Sequence, residues 1–131
     1  MKRVESFVHV LVPLFVVHFL EEIFTDFASI DLSVLHLSKY FNLDQQITFS
    51  LIQIALFLFL AVLLVLVLSK KRIPFILSLI FSIISLYEFS HVYEALKTQS
   101  YYPGLITGVI ITIVGVVFVY KLLTGKFNYQ K

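Results

Sequence analysis

The chain contains no cysteine, which excludes a disulfide framework, a thiolate metal site and a cysteine nucleophile, and leaves the redox compartment unreadable. Charge is scarce as well: 14% of the 131 residues are Asp, Glu, Lys or Arg, against about 25% in soluble domains. The net charge of +2 falls short of the clustered basic face that a phosphate backbone demands, so no nucleic-acid partner is expected. There is no internal repeat and no low-complexity tail. With 60% hydrophobic residues and a mean hydropathy of +0.98, too few polar side chains remain to coat a water-facing surface. The expected class is a single integral-membrane domain over 1–131, with the lipid bilayer as its solvent.

Apolar runs near the roughly 20 residues that a helix needs to cross a bilayer occupy about 6–24, 47–68, 74–96 and 104–122. Lipid leaves backbone groups no outside partner, so each run is expected to be a helix despite its Val and Ile content. The fold class is therefore all-α, a four-helix transmembrane bundle. The opening MKR resembles the start of a signal peptide, but His18, Glu21 and Glu22 interrupt the apolar region, and the segment reads as a retained first span. Pro74 and Pro103 suit first helical positions, and Pro13 is expected to kink the first span.

Lys and Arg in the flanks set orientation. Lys2, Arg3, Lys70, Lys71, Arg72, Lys121, Lys126 and Lys131 share one side, 8 residues against Lys39 and Lys97 on the other. This predicts a multi-pass protein of the cell membrane with both termini cytoplasmic. The external connection, TDFASIDLSVLHLSKYFNLDQQ, has Phe27, Ile30, Val34, Leu37 and Phe41 at helical spacing. It predicts one amphipathic surface helix, with Asp31, Ser38 and Lys39 on its polar side.

Polar residues inside the spans are confined to one layer. His18 near the external end of span 1 is followed by Glu21 and Glu22 at i+3 and i+4; in YEFSHVYE, His91 on span 3 is flanked by Tyr87, Glu88 and Glu94. Spans 1 and 3 run the same way, so at about 1.5 Å rise per residue both histidines lie at similar depth. The two fans of His and Glu can face each other. Gln46, Ser50 and Gln53 add a stripe on span 2, and Thr107 opens span 4. His9 and His36 fall elsewhere, at the internal end and in the external connection.

Four glutamates cannot all ionise unpaired in a low-dielectric layer, although those nearest the span ends can reach water. A divalent cation (zinc, iron or manganese) on His18, Glu22 and His91 would absorb the charge. Glu21, Glu22, Glu88 and Glu94 would then be candidate acid/base groups for hydrolysis of an apolar or lipid-like substrate, with Gln53, Tyr87 and Thr107 contacting it. A second remedy keeps glutamates protonated, giving a metal-free proton-transfer isomerase or a proton-coupled transporter. A third is a cationic ligand held by Tyr87, Tyr93 or Tyr102. Gly108 and Gly115 permit close helix packing without defining an oligomer.

HFLEE, residues 18 to 22, resembles the signature of the HXXEE family of small integral-membrane domains, with His18, Glu21 and Glu22 at its named positions. YYPGLITG, shortly after His91, is similar to the family's turn into the last helix, which marks Tyr101, Pro103 and Gly104 as structural turn residues. The resemblance implies a membrane protein of uncharacterised activity, suspected of being an enzyme because of the motif.

Overall fold

A chain surrounded by lipid satisfies its backbone by coiling, and the computed structural model, which describes residues 4–70 and 72–125, contains only helices as regular structure among them. They are α1 (Val4–Phe24), α2 (Phe27–Ile30), α3 (Leu32–Phe41), α4 (Gln45–Leu68), α5 (Phe75–Tyr87), α6 (Phe89–Thr98) and α7 (Leu105–Leu123). Four stretches are long and apolar enough to cross a membrane: α1, α4, α5 continued by α6, and α7. The chain is a four-helix transmembrane bundle. Lys2, Arg3, Lys71, Lys126 and Lys131, which entered the orientation argument, lie outside the described residues.

Local chemistry sets the helix ends. Asp44 caps α4 by accepting from the backbone N–H groups of Gln46 and Ile47, and Asp31 caps α3 by accepting from that of Val34. α5 begins after Pro74, and α1 continues unbroken across Pro13. Pro103 lies in the turn before α7 rather than in its first turn, and Gly104 takes the N-cap position with φ +78°.

The segment after α1 differs from expectation because the Asp31 cap divides it. Two short helices form, and each has its own phase. Of the five apolar positions expected on one face, Phe27 and Val34 are buried, whereas Ile30, Leu37 and Phe41 are exposed. Ser38, one turn after Val34, is buried where the polar side was expected. The pair α2 and α3 packs on α4 at the end of the bundle remote from Val4 and Leu123, and forms a lid there.

Within the bundle, α1 lies against α4 and α7, and α5 and α6 lie against α7. Lipid tails are as apolar as the side chains, so association rests on close packing rather than on a hydrophobic drive. Phe15, Phe81 and Phe118 interlock, with ring centroids 6.0 and 5.9 Å apart across Phe81. At Gly115, a Cβ would lie 2.8 Å from that of Ser85, so α7 reaches α5 as only a glycine allows. Ser82 and Ser85 on this face are buried and donate to carbonyls one turn back, so they cost no unpaired hydroxyl.

Candidate metal centre under the lid

The first span delivers its motif to two different neighbours. Glu21 turns toward α7. Its Oε1 accepts from the Ile106 N–H (3.0 Å) and the Tyr101 hydroxyl (2.5 Å), and its Oε2 accepts from the Thr107 N–H (2.9 Å) and the Thr107 hydroxyl. A carboxylate offers about four lone-pair sites, and all are engaged. Gly104 has no side chain to cap α7, so a glutamate from α1 caps it and meets the positive end of its dipole.

His18 and Glu22 meet His91 and Glu88 of the third span. Nε2 of His18 is 2.8 Å from Glu88 Oε2 and 3.4 Å from Glu22 Oε1; Nε2 of His91 is 3.2 and 3.7 Å from the same atoms. All four residues are buried. The imidazole centroids are 4.9 Å apart with the rings perpendicular. Gln53 donates to Glu22 Oε2 at 2.9 Å, and Phe27 and Tyr102 pack on the His91 ring at 5.3 and 5.7 Å.

Glu88 owes its place to a break. It separates α5 from α6, and the His91 N–H bonds back to its carbonyl at 3.2 Å, a tightened turn. Irregular backbone at membrane depth is tolerated where it lines a cavity. Gly108 lets α7 approach this break, since a Cβ there would be 3.3 Å from the Glu88 carbonyl oxygen.

The proton positions follow from the partners on the far side of each ring. Pro103 O can only accept, so the Nδ1 of His91, 2.5 Å away, donates to it. Thr107 gives its hydroxyl proton to Glu21, so its oxygen accepts from His18 Nδ1 at 2.8 Å. In the neutral tautomers both Nε2 atoms therefore present lone pairs to the carboxylates. Glu88 Oε2 is accordingly a buried atom without a hydrogen-bond donor, and Gln53 Oε1 is another. Ligand atoms of His18, Glu22 and His91 lie within 4.8 Å of one another. Donor set and orphaned oxygen both fit a divalent cation, with Nδ1 of each ring fixed as metal-bound histidines require.

Gly104 backs the site: a Cβ there would be 2.6 Å from His18 Cε1 and 2.8 Å from His91 Cε1. Tyr101 bonds Glu21, and Pro103 bonds His91, so the three turn residues form the site's rear wall. Tyr87 bonds Ser33 of the lid at 3.0 Å. Glu94 stands apart and meets Lys97 at 3.3 Å. His9 bonds the Glu5 carbonyl at 2.8 Å, and His36 is exposed. Asp31 escaped the sequence reading as a site neighbour; it accepts from the Tyr102 hydroxyl at 3.0 Å and lines the cavity. The sequence placed Asp31 on the polar side of a surface helix, and nothing local to it points to Tyr102, 71 residues away. Burial and the Glu21 carboxylate push the Tyr101 phenol up to about 12, and burial with Asp31 raises Tyr102. Both remain donors.

The cluster opens into a cavity of about 460 Å³ between α4 and α5, within the size range of about 300–1,000 Å³ seen for ligand sites. A family model described as a protein of unknown function with HXXEE motif matches residues 9–119. The chain belongs to the HXXEE family. No curated protein and no solved structure matches it. In this HXXEE protein the motif's histidine and second glutamate enter the cluster, whereas the first glutamate caps the neighbouring helix.

Proposed function

We propose that the protein is a metal-dependent membrane hydrolase, with His18, Glu22 and His91 holding a zinc, iron or manganese ion. The observation that carries this reading is the convergence of two imidazole Nε2 atoms, each with its Nδ1 proton engaged elsewhere, on two buried carboxylates. Two neutral imidazoles with one carboxylate form a ligand set typical of hydrolytic zinc and of non-haem iron. A cation in such a site lowers the pKa of a bound water and polarises a carbonyl oxygen. Glu88, the fourth member, takes the proton of the attacking water and returns it to the leaving group. Gln53 fixes the orientation of Glu22. Glu21 is a positioning residue: it holds Thr107, which holds the His18 ring. Glu94, paired with Lys97 and absent from the cavity wall, takes no part. With the orientation that the Lys and Arg count predicts, the lid would face outward.

A second reading has a specific basis. Two carboxylates facing two imidazoles are neutralised equally well by two protons on the Nε2 atoms, which would make the cluster a metal-free proton-transfer site. Metal analysis separates the two. Protein purified in detergent without chelator is expected to carry near-stoichiometric metal, which His18→Ala and His91→Ala remove. A wild-type protein that holds no metal and takes none up would sink the hydrolase reading in favour of proton transfer.

A further inference from the structure

We infer that the substrate is a neutral acyl ester of the bilayer that enters sideways between α4 and α5 and lays one acyl chain in the cavity, its carbonyl at the His/Glu cluster. The chemistry rests on the hydrolase reading, and the binding does not. α4 packs on α1 and the lid, and α5 packs on α7, so these two spans are held by different partners. The space between them is the cavity. Its walls are Ile52, Leu56 and Phe59 on one side and Ile80 and Ile84 on the other. Beyond it the helices meet again through Phe59 and Phe81, whose centroids are 6.3 Å apart.

The slot has a polar end and an apolar end. From His91 to Ile80 is eleven residues, about 16 Å along a helix at 1.5 Å per residue. A lipid in the lid-side leaflet is laid out the same way, with its head and ester toward the lid and its tail toward the bilayer centre. Ile52 and Ile80 are more than a third exposed at the rim, and in a bilayer that rim meets hydrocarbon, so a chain can move into the slot without passing through water.

Charge selects the head. Among the described residues the cavity wall includes Glu22, Asp31 and Glu88 and no Lys or Arg, so a phosphate at the ester position would face carboxylates without a fixed cation from those residues. A glycerol hydroxyl, in contrast, can donate to Asp31 or accept from Ser33, both at the lid end of the wall. Hydrolysis would join the water oxygen to the carbonyl carbon and break the bond to the alcohol oxygen. Glu88 would carry the proton from water to the departing alkoxide. The products are a fatty acid and an alcohol, and no oxidant or reductant is needed.

The test uses the full chain in phosphatidylcholine vesicles with a monoacylglycerol that carries a photoreactive diazirine in its acyl chain. Crosslinks are expected to concentrate on 52–59 and 80–87 and to be lost under excess unlabelled monoacylglycerol, but not under lysophosphatidic acid. Ala55→Trp, at an exposed position on the cavity rim, should lose the crosslinks and keep its metal. His18→Ala should lose metal and keep the crosslinks, so a failure of the metal reading is told apart from a failure of this one. If Ala55→Trp misfolds, the competition arms decide. Crosslinks spread over all four spans, or unchanged by the neutral competitor, would overturn the inference, as would equal competition by lysophosphatidic acid.

Discussion

Two adjacent glutamates with the same side chain do different work because one residue of helix rotates the next by about 100°. Glu22 reaches the histidines, whereas Glu21 reaches the first turn of α7. Their substitutions should part accordingly. Glu22→Gln is expected to lose bound metal and to melt where the metal-free wild type melts. Glu21→Gln replaces half its acceptor capacity with donors and should lower stability by about 1–2 kcal/mol, the size of a lost cap, while retaining metal at reduced affinity. Metal content and a thermal melt on the same samples check both. Tyr101 gives a pH signature. Its phenol is pushed up to about 12 by burial and by Glu21, so the folded state holds this proton more tightly than the unfolded chain, where tyrosine titrates near ~10. The stabilisation is fully present below pH about 10 and is lost as pH rises through about 12. Unfolding midpoints should fall across that window, less steeply in Tyr101→Phe. An equal slope in both proteins would contradict the assignment.

At the scale of elements, the site depends on how closely α7 can approach the broken span. Gly104, Gly108 and Gly115 lie on α7 or at its cap, against the two histidines, the Glu88 carbonyl and Ser85 respectively. Gly115→Ala would set two Cβ atoms at 2.8 Å, and overpacking of that kind costs about 1–3 kcal/mol. The thermal midpoint should fall in Gly115→Ala and recover in part when Ser85→Gly removes the opposing Cβ. Recovery in Ser85→Ala as well would mean that the contact is not the cause. The split of the lid into α2 and α3 belongs to this scale too. The spacing of apolar residues predicted one helix, but Asp31 offers the next backbone a cap, and the second helix then presents Val34 and Ser38 to α4.

At the scale of the molecule, an even number of spans places Val4 and Leu123 on one side, and the absence of native cysteine makes this directly measurable. Single cysteines at Asn42 and Thr124, both exposed, should differ: an impermeant maleimide labels Asn42→Cys on intact cells and Thr124→Cys only after lysis. The opposite pattern would invert the orientation drawn from Lys and Arg. The sequence alone determined the bilayer as solvent, the four spans to within a few residues, and the shared depth of His18, Glu22, Glu88 and His91. These follow from local hydropathy and helical rise, which need no neighbour. Only the tertiary structure decided that Glu21 caps α7, that Pro103 and Thr107 fix the ring protons, and that a cavity separates α4 from α5. Each of these depends on which helix faces which, set by the close approaches of glycines to residues far away in the chain, and periodicity within one helix carries no information about its partner.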